Sequence, residues 1–338
     1  MDAFVCTRPG QIELKDMALP LVREGHAILK IRRIGICGTD IHALLGSQPY
    51  FEYPRILGHE LAADFIEADG QTDFVPGEAL TIIPYFNCGQ CLPCLTGRPN
   101  CCIKLKVSGV HEDGGMAEFF SVPVHALLHG EGLSYDELAL VEPLSIGAHA
   151  VSRSEVRENE FMLVMGAGPI GVACIEFGLM AGARVIVLEL HPERLRFCRQ
   201  IDGVKYVFDA REDNLTQKIA DITHGNMPEV VMDATGNLQA INKGFEFMAH
   251  GGKYVLVGLQ KDRISFSHPE FHKREATLMG SRNATRRDFL RVMDAIRNRK
   301  VQPLRMINHI SEFRNIARDF KIWMDPAQGI IKAMVYAD

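Results

Sequence analysis

No run of about 18 uninterrupted apolar residues occurs anywhere in this 338-residue chain, so no membrane-spanning helix is expected. The opening stretch MDAFVCTRPGQIELKD lacks a positively charged region followed by an apolar one, and so does not read as a secretory signal. There is no basic stripe either. Lysines and arginines are scattered and the formal net charge is −5, which argues against a nucleic-acid partner. Low-complexity tracts and repeats of fixed period are also missing. These absences leave the expectation of an ordinary globular protein of the cytoplasm. With 47% hydrophobic residues the chain can bury an ample core. At about 150 residues per domain its length suggests two domains.

Against that background the cysteines are placed unevenly. Five of the nine fall within NCGQCLPCLTGRPNCC, residues 87–102. A disulfide knot, an iron–sulfur cluster and a zinc site compete as explanations. Disulfides need an oxidising compartment and favour much smaller scaffolds, and an odd count leaves at least one thiol unpaired or paired between chains. A ferredoxin-type run wants its fourth cysteine after three more residues, followed by proline. Here seven residues separate Cys94 from Cys102, and Ile103 follows. Zinc accepts the pattern, because a Cys-x2-Cys turn presents two thiolates to one ion and four thiolates close a tetrahedral shell. Gly89, Pro93, Gly97 and Pro99 make the stretch irregular, with no apolar periodicity to hold it. The expectation is a closed structural zinc on Cys88, Cys91, Cys94 and either Cys101 or Cys102, both of which are in reach. A closed site performs no reaction.

The second feature is FMLVMGAGPIG, residues 161–171. An apolar run that reads as a buried strand leads directly into Gly166, Gly168 and Gly171, and a helical apolar pattern follows. In a dinucleotide fold the first glycine permits the turn, the second lets backbone approach pyrophosphate, and the third allows close helix–strand packing. Pro169 and Ile170 complete the loop and open the helix, whose N-terminal amides suit phosphate. The next apolar run, RVIVLEL, ends near Glu189, 18 residues past Gly171. A carboxylate there accepts ribose hydroxyls and repels a 2′-phosphate, so NAD is expected over NADP. Arg194 lies close enough to soften that preference. Further strands are read in KYVFDA, EVVMDATG and KYVLVGL, which makes residues 146–280 a doubly wound parallel sheet.

The third feature is scattered. GICGTDIH (residues 35–42), LGHE (57–60) and VEPLSIGAHA (141–150) supply Cys37, His59, Glu60 and Glu142. A catalytic zinc takes about three protein ligands of this kind and keeps one position exchangeable. Local spacing does not join such distant residues, and from each stretch alone a buried thiol and a hydrogen-bonded core histidine are the better reading.

Together the motifs resemble the zinc-containing medium-chain alcohol and polyol dehydrogenases. The resemblance runs over essentially the whole chain in GICGTDIH, LGHE, the four-cysteine lobe, EDGGMAEF, VEPLSIGAHA, GAGPIG and DATG. It implies an α/β architecture, with a GroES-like β-barrel catalytic domain over residues 1–145 and 281–338 around a Rossmann domain over 146–280. It also implies two zinc ions per chain and NAD. Cys37 and His59 match catalytic zinc ligands, with Glu142 or Glu60 as the third. Cys88, Cys91, Cys94 and Cys102 match the structural set. Thr39 and His42 match a proton relay beside a zinc that acts as Lewis acid, and Glu60 joins them as a catalytic candidate.

Within the family the nearest likeness is to sugar-acid dehydrogenases of the L-galactonate and L-gulonate type. It is carried by YPRI before LGHE, by SGVHEDGG, and by PEFHKREATLMGSRNATRRDF. A carboxylate-bearing substrate needs a cation, for which Arg282 is the candidate, with Lys273 or His111 behind it. A neutral polyol or L-threonine is the alternative substrate. The resemblance further implies a homo-oligomer, dimer or tetramer, with KYVLVGL near its interface.

Overall fold

In the computed structural model, which describes residues 1–48 and 51–338, the chain forms two compact units. One comprises Met1–Glu142 with Thr285–Asp338, and the other Pro143–Ala284.

The first unit is a β-structure organised on the strand His26–Gly35, whose sequence HAILKIRRIG turns Ala27, Leu29, Ile31 and Ile34 into the core. At ten residues this strand is long enough for two short partners placed end to end. Phe119–Pro123 pairs with its first half and the C-terminal strand Lys332–Tyr336 with its last residues. On its other side lies Glu60–Ala68, followed by Ala79–Ile82 and Leu127–His129. Ile307–Glu312 extends the sheet beyond Lys332–Tyr336. A smaller sheet joins Gln11–Asp16, Asp2–Arg8 and Arg55–Ile56. Phe4, Leu57, Leu61 and Phe320 fill the shared core. The return of the chain end is therefore a structural necessity, since without it the end of the central strand lacks a neighbour on one side. The fold is the GroES-like type joined to a Rossmann-type unit, as the motifs imply.

The second unit is a six-stranded parallel sheet in the order Tyr206–Asp209, Arg184–Glu189, Phe161–Met165, Val230–Asp233, Lys253–Leu256, Thr277–Gly280. Strands covered on both faces need apolar residues at every position rather than at alternate ones. FMLVM and VVMD are accordingly buried throughout. KYVLVGL contributes Lys253–Leu256, one strand inside the sheet, and the edge itself is Thr277–Gly280. That edge strand, TLMG, is too short and mixed to announce itself. Among the described residues no helix is long and apolar enough to cross a membrane.

Candidate active site

The reactive residues of the first unit are brought together by the ends of paired strands. Gly35 closes the central strand, and Cys37 caps the short helix Gly38–Leu44. Asp40, in the first turn of that helix, folds back so that its Oδ2 accepts the Cys37 N–H at 2.9 Å. Its Oδ1 accepts the Gly58 N–H at 3.2 Å and stands 3.9 Å from His59 Nδ1. One carboxylate, 1% exposed, thus ties the Cys37 segment to the His59 segment. Burial raises the Asp40 carboxyl, against the opposing pull of His59 and the two amides.

The His59 segment is pressed from behind by the loop SGVHEDGG. A Cβ on Gly114 would stand 2.2 Å from the Gly58 carbonyl oxygen, and one on Gly109 2.8 Å from the Gly58 nitrogen. Both glycines are present because backbone meets backbone there. His111 belongs to this loop, and its Nδ1 accepts the Val107 N–H at 3.1 Å.

Glu60 begins the strand opposite Gly35. A Cβ on Gly35 would lie 2.1 Å from Glu60 Oε2. The missing side chain lets the Glu60 carboxylate lie across the central strand and reach Lys332 on the far side. Lys332 Nζ donates to Glu60 Oε1 at 2.7 Å, to Oε2 at 2.5 Å and to the Ile36 carbonyl at 3.1 Å, with both side chains 1% exposed. Burial pulls the Lys332 ammonium down, but Glu60 and Cys37 outweigh it and hold it above the usual lysine value.

The outcome is a buried cluster in which one ligand atom each from Cys37, His59 and Glu60 lies within 4.8 Å of the others. Burial works to lower the His59 ring, yet its contact with the Cys37 sulfur and the nearby Asp40 and Glu142 carboxylates raise it well above normal. Glu142, on the helix Tyr135–Ser154, stands outside this group and accepts a hydrogen bond from the Tyr85 hydroxyl. Burial, with the like charge of Glu60, pushes the Glu142 carboxyl up to about 7, against His59. Sulfur, nitrogen and oxygen donors at this spacing fit a zinc ion that keeps a further position open. Thr39 sits half-buried in the first turn after Cys37, and His42 is exposed with its Nδ1 2.9 Å from Ser47 Oγ. They are three residues apart on one helix, so they share a face.

The cysteine lobe gathers separately in the same unit. Cys88, Cys91, Cys94 and Cys102 place their sulfurs within 4.8 Å of one another, and exposed Cys101 is not in the group. Cys91 and Cys94 sulfurs are 3.4 Å apart, and Cys88 and Cys102 sulfurs 3.5 Å. Backbone N–H groups of Cys94 and Ile103 push the Cys91 thiol down to about 6. Four sulfurs with amides aimed at them fit a closed thiolate site for zinc.

In the second unit the three glycines have three distinct environments. Gly166 has φ of +87° and makes the turn out of Phe161–Met165. At Gly168 a Cβ would meet nothing nearer than Arg194 Nη1 at 3.7 Å, so its backbone is open to approach. At Gly171 a Cβ would stand 1.9 Å from the Gly166 carbonyl, which is the close helix packing expected. Pro169 is the first residue of the helix Pro169–Met180, with Ile170 half-buried behind it. Pro at that position is pre-set for helix entry. Glu189 accepts the N–H groups of Ala167 at 2.6 Å, Leu190 at 2.7 Å and His191 at 2.8 Å. It lines a cavity of about 270 Å³ with Gly166, Leu190, Thr235, Asn237 and Lys243. A carboxylate beside an apolar-walled cavity at the glycine turn fits the adenosine half of a dinucleotide. Arg282 and Lys273 also belong to this unit. Both are exposed, and Lys273 stands 3.9 Å from Glu270.

Asp40, Lys332 and Tyr85 are bonded to the cluster segments or to Glu142, and motif reading passes them by. A faint signal existed for Lys332, a lone charge in the apolar strand KAMVY, and for Tyr85, which ends the apolar run LTIIPY.

Comparison with known proteins agrees with this geometry. Residues 23–131 match the alcohol dehydrogenase GroES-like domain and residues 169–298 the zinc-binding dehydrogenase family. The L-galactonate-5-dehydrogenase of Escherichia coli K12 is 38% identical over 99% of this chain and 98% of its own length. A sorbitol dehydrogenase of Halalkalibacterium halodurans is 27% identical over 91% of this chain and 92% of its own. Among solved structures, the rspB alcohol dehydrogenase of E. coli CFT073 complexed with NADH superposes with a TM-score of 0.93 at 26% identity. It covers 100% of this chain and 99% of that one.

Proposed function

Because the chain belongs to the zinc-binding alcohol dehydrogenases with a GroES-like domain, we propose that it oxidises a sugar acid with NAD. The substrate is an aldonate such as L-galactonate or L-gulonate, oxidised at the C5 secondary hydroxyl to a keto acid. The observation that carries the substrate class is the likeness to an L-galactonate-5-dehydrogenase across the entire length. Cys37, His59 and Glu60, with Glu142 as the alternative carboxylate, would hold a zinc ion whose chemistry is Lewis acidity toward the hydroxyl, and the glycine turn would hold NAD, whose chemistry is hydride acceptance.

The chain's own residues do the rest. Thr39 receives the hydroxyl proton in the first turn of its helix, and His42, one turn on and exposed, passes it outward. Asp40 and Lys332 keep the ligands in place without contacting substrate. Glu189 accepts the adenosine ribose hydroxyls, which favours NAD over NADP. Cys88, Cys91, Cys94 and Cys102 hold a second, structural zinc. Arg282 anchors the substrate carboxylate, with His111 as a further contact. The enzyme works in the cytoplasm as a homo-oligomer, for which the Thr277–Gly280 edge strand offers a pairing surface.

The sorbitol dehydrogenase relative keeps a neutral polyol as the second reading. NADH formation from L-galactonate, L-gulonate, other aldonates, sorbitol, galactitol and L-threonine separates them. Turnover confined to aldonates, with KM raised by Arg282→Ala, is the expected result. Turnover of sorbitol or threonine alone overturns the sugar-acid assignment and leaves the metal and cofactor sites standing.

A further inference from the structure

The two carboxylates near Cys37 and His59 are held by partners of different kinds. Glu60 lies within the three-ligand cluster and is bound at both oxygens by the Lys332 ammonium. Glu142 lies outside the cluster and is bound at Oε1 by the Tyr85 phenol. The phenol is itself firmly placed. Tyr85 is 8% exposed and its ring meets Phe289 edge-on at 6.1 Å and 79°. The phenol O–H donates in this bond, and the carboxylate oxygen accepts.

A neutral donor has a different effect from a cationic one. It competes for a carboxylate oxygen through a strong, charge-assisted hydrogen bond but leaves the carboxylate's charge in place. A mobile anion beside a divalent ion would otherwise swing in. A fourth protein ligand would then convert an open site into a closed one.

We propose that Tyr85 is a positioning residue that holds Glu142 off the metal, so that Cys37, His59 and Glu60 form the ligand set and the fourth position stays open. The inference rests on the zinc dehydrogenase reading, because it concerns how that site keeps room for its substrate.

The test uses the full-length protein with cobalt(II) at both metal sites, read by its visible d–d bands and by the rate at which dipicolinate strips the buried ion. The cysteine lobe is the internal standard. Tyr85→Phe keeps the ring against Phe289 and removes only the hydroxyl. It should slow cobalt removal from the buried site about tenfold, the scale on which outer partners tune metal affinity, and shift that site's bands. The double variant Tyr85→Phe with Glu142→Gln should return to the wild-type rate. Glu142→Gln alone should leave the rate within about twofold of wild type, an effect too small to signal a lost ligand. Unchanged or faster removal in Tyr85→Phe overturns the proposal, as does slow removal that persists in the double variant. So does a tenfold faster loss in Glu142→Gln alone, which would make Glu142 a ligand. The wild-type substrate panel is a separate outcome: a silent panel weakens the dehydrogenase reading whatever the cobalt shows, and an active panel does not rescue Tyr85.

Discussion

The cysteine lobe and the Cys37, His59, Glu60 cluster lie in one compact unit, yet they are built in opposite ways. The lobe takes all four ligands from residues 88–102, in a stretch with a four-residue helix and no extended apolar face. Its sulfurs are surrounded by little except one another and a few amides, so the ion itself has to supply the folding energy. The other cluster takes its ligands from separate segments, and protein bonds hold them before any metal arrives. Asp40 joins Cys37 to Gly58, Lys332 grips Glu60, and glycines clear the space between. A site held by the fold can leave a position unfilled, whereas a site that holds the fold cannot.

That contrast can be broken at its strongest point first. Cys94→Ser should remove one metal per chain and unprotect residues 88–102 to hydrogen exchange, while the buried cluster keeps its ion. In isolated zinc peptides the metal contributes about 10–16 kcal/mol of folding energy. A lobe that stays protected after losing its metal would end the distinction.

Lys332→Met probes the opposite claim. It leaves Glu60 buried without its counter-charge and should cost about 3–5 kcal/mol in urea unfolding. Lys332→Arg should recover part of this. A loss below about 1 kcal/mol, the scale of an exposed pair, would mean that the fold does not depend on this contact.

Thr39→Val asks whether only one cluster does chemistry. It should lower turnover about 10²-fold, the low end of general acid–base assistance, with both metals and NAD affinity unchanged. Unaltered turnover removes Thr39 from the proton path.

The smallest expected effect is at Gly35. A methyl there meets Glu60 Oε2, and Gly35→Ala should cost about 1–3 kcal/mol as overpacking. It should loosen the metal of the buried cluster and not that of the lobe, as metal analysis after mild chelation would show. Equal loosening of both would place the strain elsewhere.

The same contrast explains which parts were legible from residues alone. The lobe was readable because its ligands are close in sequence, and short spacing is itself geometry. So was the nucleotide unit, where Gly166 answers a left-handed turn and Gly171 a close backbone contact that a side chain would block. Parallel strands buried on both faces produced unbroken apolar runs that needed no context. The edge strand Thr277–Gly280 escaped notice because TLMG lacks the aromatic and β-branched run that made the opposite edge, Tyr206–Asp209, readable in KYVFDA. KYVLVGL was apolar because it is interior.

The catalytic cluster gave up only its ligands, and those through motif order. The pairing of its supports was invisible for a physical reason: Lys332 and Glu60 are 272 residues apart, and Tyr85 and Glu142 are 57 apart. No periodicity or spacing rule spans such intervals. In Lys332 the sequence shows a lysine where a strand wants an apolar residue. The central strand, with Glu60 on one side and the returning C-terminal strand on the other, turns that anomaly into a counter-ion. Ligand type, cofactor class and the closed lobe follow from local chemistry, because each demand is met within a turn or two of chain. Which carboxylate joins the cluster, what neutralises it and what restrains its neighbour were decided by strand pairing, because only the folded chain sets those distances.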